Sequence, residues 1–155
     1  MNHTISNSDD TIDSRDVIKR IEELQGERDS LQSDYDEAIE ARDQADNDDE
    51  NLNELSKAAI AAHAALEEWK TSEEAEELRI LEALQEEAEG YCPDWTYGAQ
   101  LIRDDYFNQA MDEMVADCYE LPKDLPSWMT ITYDYDALQQ DYTSVDYDGV
   151  TYWIR

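Results

Sequence analysis

The chain has 155 residues and a formal net charge of −30, from 41 acidic and 11 basic residues. This length fits one ordinary domain, or a small domain that carries a helical arm. So negative a chain repels nucleic acid and anionic membranes, which excludes both as direct partners and favours basic protein surfaces. Two cysteines without a CxxC motif, together with the lack of a signal-peptide pattern or a long apolar run, predict a cytoplasmic protein without a membrane span.

Residues 1–14 are polar and predict a flexible leader, at whose end Asp13 or Ser14 is suited to cap a helix. The next segment, residues 15–90, contains no proline and repeats apolar residues at intervals of three and four, which predicts an acidic helical arm. Its first series predicts a coiled-coil seam of about three heptads. A homodimer and an antiparallel pairing within the chain are both open. The seam consists of Val17, Ile21, Leu24, Leu31, Tyr35 and Ala38.

The arm is interrupted at residues 46–50, where consecutive Asp and Asn residues predict a turn. A third helical piece is predicted to begin at Thr71 or Ser72 and to end at Gly90. We therefore predict a helical hairpin with arms of about 30–35 residues, and the alternative is one continuous helix of about 110 Å. The apolar positions after the turn are Leu52, Leu55, Ala59, Ala62, Leu66, Trp69, Leu78, Leu81, Leu84 and Ala88.

Residues 91–155 hold nine of the ten tyrosines and three of the four tryptophans, which predicts a small α+β domain with its own core. A short edge strand within 97–102 should precede a helix that begins at Asp104 or Asp105 and runs to about residue 119. We expect 127–132 to be a buried extended segment. The Asp148-Gly149 pair between alternating strands predicts a C-terminal β-hairpin. The predicted fold class is thus α+β, mostly α.

The acidic residues of the arm suggest a function. Residues 16–89 hold 25 acidic and seven basic residues, and a hairpin of this segment would carry one net charge per ~3 Å. B-DNA carries one charge per ~1.7 Å of its axis. An acidic row is usually only a solvated helix face, but here the Glu–Lys pairs that stabilise ordinary helices are scarce. We predict that carboxylates stand in for phosphates at Asp34, Asp36, Glu37, Glu40, Asp43, Asp46, Asp48, Asp49, Glu73, Glu74, Glu76 and Glu77.

A second indication comes from the acidic helical segment Phe107–Cys118 and from three runs after it, Leu125–Met129, Tyr133–Leu138 and Asp141–Trp153. In this order they resemble the C-terminal part of ArdA-type antirestriction proteins, over roughly residues 97–155. The resemblance implies a DNA mimic of phages or mobile elements that evades host defence by occupying the DNA groove of restriction–modification enzymes. The helical arm replaces that family's N-terminal and central domains, so a CRISPR effector, and hence an anti-CRISPR role, is equally open.

No catalytic constellation is predicted. His3 and His63 are the only histidines of the sequence, and neither Walker A, GxGxxG nor HExxH occurs. We therefore expect an inhibitor and not an enzyme, without catalytic, cofactor-binding or metal-binding residues, that binds a basic DNA-binding protein or nuclease complex in the host cytoplasm. The main alternative is a coiled-coil oligomerisation or adaptor protein whose acidity only keeps it soluble. A chaperone of histones or other basic proteins is a further alternative.

Overall fold

The computed structural model describes residues 4–155, and contacts divide the chain into two compact units. The helical unit is Lys19–Glu82, and the sheet unit combines the residues up to Ile18 with Ala83–Arg155. The fold is α+β and mostly α, as predicted. A short 3-10 helix occupies Asp104–Tyr106. The other elements, in chain order, are β1 Thr11–Asp13, α1 Ser14–Gln44, α2 Leu52–Lys70, α3 Glu73–Glu89, α4 Trp95–Gly98, β2 Gln100–Arg103, α5 Phe107–Cys118, α6 Tyr135–Gln139, β3 Thr143–Tyr147 and β4 Val150–Ile154.

The predicted apolar positions of the helical unit, from Ile21 to Leu81, are all buried or half-buried. The three-and-four spacing places these residues on one face of each helix, so all three helices contribute buried side chains. This part of the prediction is confirmed, whereas the coiled-coil geometry stays a prediction. The residues with the least exposure are Ile21, Leu24, Ala59, Leu66, Leu78 and Leu81.

The helical unit folds back on itself, so the alternative of one continuous helix is wrong. The ring centroids of Tyr35 and His63 are 5.2 Å apart, whereas 28 residues of unbroken helix would separate them by ~42 Å. The predicted turn is confirmed, since α1 ends at Gln44 and α2 begins at Leu52. A second break separates α2 from α3 at Ser72, whose Oγ accepts a hydrogen bond from Ala75 N at 3.3 Å and so caps α3, as predicted.

The sheet unit is built on four antiparallel strands in the order β1-β2-β4-β3. The predicted C-terminal hairpin is confirmed: β3 pairs with β4 around a two-residue turn, in which Asp148 and Gly149 both have positive φ. Strand β2 lies inside the sheet between β1 and β4, so the prediction of an edge strand is wrong. Ile102 of β2 and Phe107 and Met111 of α5 form one buried cluster, against which Tyr142 and Trp153 pack.

Two segments differ from the sequence predictions. Residues 11–13, within the predicted flexible leader, form β1 and pair with β2; residues 1–3 of that leader lie outside the described residues. In the predicted buried segment 127–132, Trp128 is 79% exposed, and Met129 and Ile131 are also exposed. Both errors concern long-range packing, since neither strand pairing nor burial of a short irregular segment is encoded in local spacing. Within residues 4–155 no helix is both long and apolar enough to cross a bilayer.

Candidate partner-binding surface

The twelve predicted partner-binding acids all belong to the helical unit, in three groups. Five lie on the second half of α1, three in the connection from α1 to α2, and four in the first turns of α3. Eleven of them are exposed, and Glu77 is half-buried. The exposed ones on α1 and α3 lie away from the buried apolar face of their helix, because the apolar residues recur in phase with the helical turn.

The α1 group forms a regular row. Asp36 and Asp43 are separated by seven residues, which is almost two complete helical turns, so both lie on one face at a spacing of ~10.5 Å, with Glu40 between them. Glu22 and Asp29 continue the same spacing towards the start of the helix and are also exposed. The prediction missed these two residues, although the seven-residue interval could have revealed them.

The side chains of this row make only weak, exposed contacts with their neighbours. Asp36 accepts a hydrogen bond from Gln32 Nε2 at 2.9 Å, and Glu40 accepts one from Gln44 Nε2 at 2.9 Å. Asp43 is paired with Arg42 at 3.0 Å on an exposed surface, where such pairs contribute at most about 1 kcal/mol. A basic partner could therefore displace these contacts at low cost.

The connecting group lies in a tight turn. Asp49 N donates to Asp46 O at 2.9 Å, and Asp49 Oδ1 accepts from Asn51 N at 2.8 Å. Asp and Asn suit this position because their short side chains bond to nearby backbone groups. Asp46, Asp48 and Asp49 are exposed, so the series of exposed carboxylates on α1 continues into the turn.

The α3 group has mixed roles. Glu73 and Glu74 are exposed in the first turn of α3, where carboxylates also stabilise the helix through its dipole. Glu76 is bonded to the guanidinium of Arg79, which lowers the pKa of Glu76. Glu76 is therefore exposed and also holds an ion pair on its own helix.

Glu77 is a correction to the predicted set. Its two carboxylate oxygens accept hydrogen bonds from Nε and Nη2 of Arg20, both at 2.8 Å, and this bond raises the pKa of Arg20. Bidentate pairing of this kind joins α3 to α1 and occupies both oxygens. We therefore assign Glu77 a structural role and remove it from the phosphate-mimicking residues.

The structure does not bring the three groups to one place. Glu77 is in contact with Arg20, and Asp34 lies 14 residues further along α1, ~21 Å away along the helix axis. The α1 row and the connecting turn thus form one continuous acidic surface, which we call the distal surface (residues 34–49). The α3 acids lie nearer the start of α1 as a separate group.

The charge density of the helical unit approaches that of duplex DNA. Lys19–Glu82 contains 21 acidic and seven basic residues. Residues 19–44 of α1 rise ~39 Å, which gives one net charge per ~2.8 Å, against one per ~1.7 Å for B-DNA. Neighbouring acids three or four residues apart are ~5–6 Å apart, similar to adjacent phosphates.

No group of three His, Cys, Asp or Glu side chains that could hold a metal ion occurs within the described residues 4–155. Comparison of the chain with known protein families, with curated proteins and with solved structures gave no match. The resemblance to ArdA-type proteins therefore stays a prediction from the sequence.

Proposed function

We propose that this protein is a DNA mimic that inhibits a host-defence nuclease complex by occupying its basic DNA-binding cleft. The observation that carries the proposal is the distal surface: exposed carboxylates at regular helical intervals, on a unit whose net charge density is within a factor of two of duplex DNA. A basic cleft that binds this surface would displace the cations held near its carboxylates, as it displaces the counterions condensed on DNA.

The sequence resemblance suggests the class of target. ArdA-type proteins act on restriction–modification enzymes, and a CRISPR effector presents the same electrostatics, so both are candidate targets in the host cytoplasm. In this proposal the protein is carried by a phage or mobile element, and its helical unit acts as a coiled-coil hairpin arm. It binds and does not catalyse, and it needs no cofactor or metal.

The proposal can be tested by infection. Hosts with a restriction–modification system or a CRISPR effector, expressing this protein, are challenged with a phage that the system restricts, and plating efficiency is measured. The wild-type protein should restore plating of the restricted phage. A sixfold amide variant of the distal surface should lose this effect, because six carboxylates are neutralised without a change of shape: Asp34→Asn, Asp36→Asn, Glu37→Gln, Glu40→Gln, Asp46→Asn and Asp48→Asn.

A matched control separates a surface effect from an effect of net charge. Six exposed acids of the sheet unit are neutralised instead, which changes the net charge by the same amount. This control should retain the protection. Equal activity of the distal variant and the wild type would contradict the proposal, as would equal loss in the control. The control residues are Asp94, Asp117, Glu120, Asp124, Asp136 and Asp141.

A further inference from the structure

Helix α2 has a second face that the packing of the helical unit does not use. Its buried and half-buried positions lie on one side, whereas Lys57, Ala61, Ala64 and Glu68 are all exposed. Their four-three-four spacing places them in one row along the opposite side. Ile60 flanks this row and is 69% exposed, more than any other large aliphatic side chain among the described residues. We call this row, with Ile60, the outer face of α2.

The outer face is also the least charged part of the helical unit. Helix α2 has three acidic and two basic residues, whereas α3 has eight acidic residues and one basic residue. Two copies of so acidic a chain therefore repel one another less where their α2 helices meet than where their α3 helices meet.

We propose that the outer face of α2 binds a second copy of the chain, with the two α2 helices antiparallel. The charges of the face favour a second copy of the chain as the partner, and they favour an antiparallel orientation. Lys57 and Glu68 lie at equal distances from the midpoint between Ala62 and His63, so an antiparallel pair related by a two-fold axis at that point places Lys57 opposite Glu68 of the second copy, twice. A parallel pair would place Lys57 opposite Lys57, which like charges disfavour.

The side chains between these charges suit the same register. Ala61 lies opposite Ala64 of the second copy, and small residues at both central positions let the two helix axes approach closely. Lys57 forms an exposed pair with Glu54 at 3.3 Å, and such a pair costs little to exchange for another carboxylate. Ile60 lies beside the row on both copies, where it loses contact with water. The interface is self-complementary, as a two-fold dimer requires.

Sedimentation equilibrium of the full chain, which measures its molar mass in solution, tests this proposal. Wild-type protein should show a reversible dimer, and the dimer should strengthen when salt rises from about 0.1 M to about 1 M, because the Debye length falls from about 10 Å to about 3 Å and screens the net repulsion. Binding of a basic partner to the distal surface should weaken over the same range, so failure of the two proposals is distinguishable.

Two matched variants test the location of the interface. Ala61→Glu adds a carboxylate to the outer face, and Ala83→Glu adds one to an exposed alanine of α3, outside both the outer face and the distal surface. Ala61→Glu should weaken the dimer at least about tenfold, because a larger charged side chain would separate two helices that approach closely at this position, whereas Ala83→Glu should leave the dissociation constant within about threefold of the wild type. Helical content by circular dichroism checks that both variants are folded.

A charge exchange tests the antiparallel register. Lys57→Glu alone and Glu68→Lys alone should each weaken the dimer, since each variant places like charges opposite one another. The double variant should restore it. A wild-type chain that stays monomeric at about 1 M salt, an Ala61→Glu dimer as strong as the wild type, or a double variant that is not restored would each overturn the proposal.

Discussion

The hydroxyl group of Ser14 joins two backbone segments inside the sheet unit. Its Oγ donates a hydrogen bond to Trp95 O at 2.6 Å and accepts one from Ala99 N at 2.7 Å, and the side chain is fully buried. Ser14→Ala would leave a buried carbonyl and a buried amide without these partners. We expect a loss of about 1–3 kcal/mol in the free energy of unfolding, measured by urea denaturation.

A control for this prediction is Ser33→Ala, on an exposed position of α1. Alanine is the better helix former there, so the free energy of unfolding should stay the same or rise by a few tenths of a kcal/mol, roughly. If both variants changed the stability equally, Ser14 would have no special structural role.

The pKa of Tyr152 predicts a loss of stability in alkali. Burial raises the pKa of Tyr152 to about 12, and its hydroxyl donates to Asp9 O at 2.6 Å. In the unfolded chain the pKa of a tyrosine is about 10. Because the pKa of Tyr152 is higher in the folded state, this tyrosine stabilises the fold fully at a pH below its unfolded-state pKa. This stabilisation is lost as the pH rises through its folded-state pKa.

The measurement is urea denaturation at several pH values between about 9 and about 12. The free energy of unfolding of the wild type should fall across this window, and Tyr152→Phe, which cannot ionise, should show a shallower fall. Parallel curves for the two proteins would show that Tyr152 does not cause the alkaline loss.

At the scale of elements, replacing either of two glycines by alanine should have opposite effects on stability. Gly26 lies within α1, and Gly149 lies in the β3–β4 turn with φ +80°; a Cβ atom would meet nothing within 4 Å at either position. Steric contact is therefore the same, and only the backbone conformation differs. Gly26→Ala should stabilise the protein by about 0.5–1 kcal/mol, whereas Gly149→Ala should destabilise it by about 1–2 kcal/mol, because an L side chain disfavours positive φ.

Thermal or urea denaturation of the two variants measures this contrast directly. Because each variant adds the same methyl group, a change of the same sign in both would mean that one of the two backbone conformations differs from the structure. The type I′ turn, in which both central residues have positive φ, is the element most directly tested.

The elements that the sequence predicted correctly are those that depend on local spacing. The three helices follow from apolar residues at intervals of three and four, and the C-terminal hairpin follows from Asp148-Gly149. Strand β1 was missed because it has only three residues, with Ile12 as its one apolar side chain, and because its pairing with β2 spans almost 90 residues. The exposure of the site residues was predictable from helical phase, but the pairing of Glu77 with Arg20, across 57 residues of sequence, was not.

At the scale of the whole molecule, a net charge of −30 opposes folding by self-repulsion. The helical unit tolerates this charge by placing its carboxylates outward along α1, the connecting turn and α3, and by binding Glu77 to Arg20. A chain selected only for solubility would gain stability from a more balanced set of Glu and Lys residues. The regular distal surface is thus more easily explained by a basic partner than by solubility.

The most direct test of this account is competition with duplex DNA for one purified restriction–modification or CRISPR effector complex, measured over a range of salt concentrations. We predict that the protein and the DNA exclude each other, and that the affinity of the protein falls at least about tenfold between about 50 and 200 mM salt, linearly in the logarithm of salt concentration. Simultaneous binding of protein and DNA to the same complex, or an affinity that salt does not change, would contradict DNA mimicry.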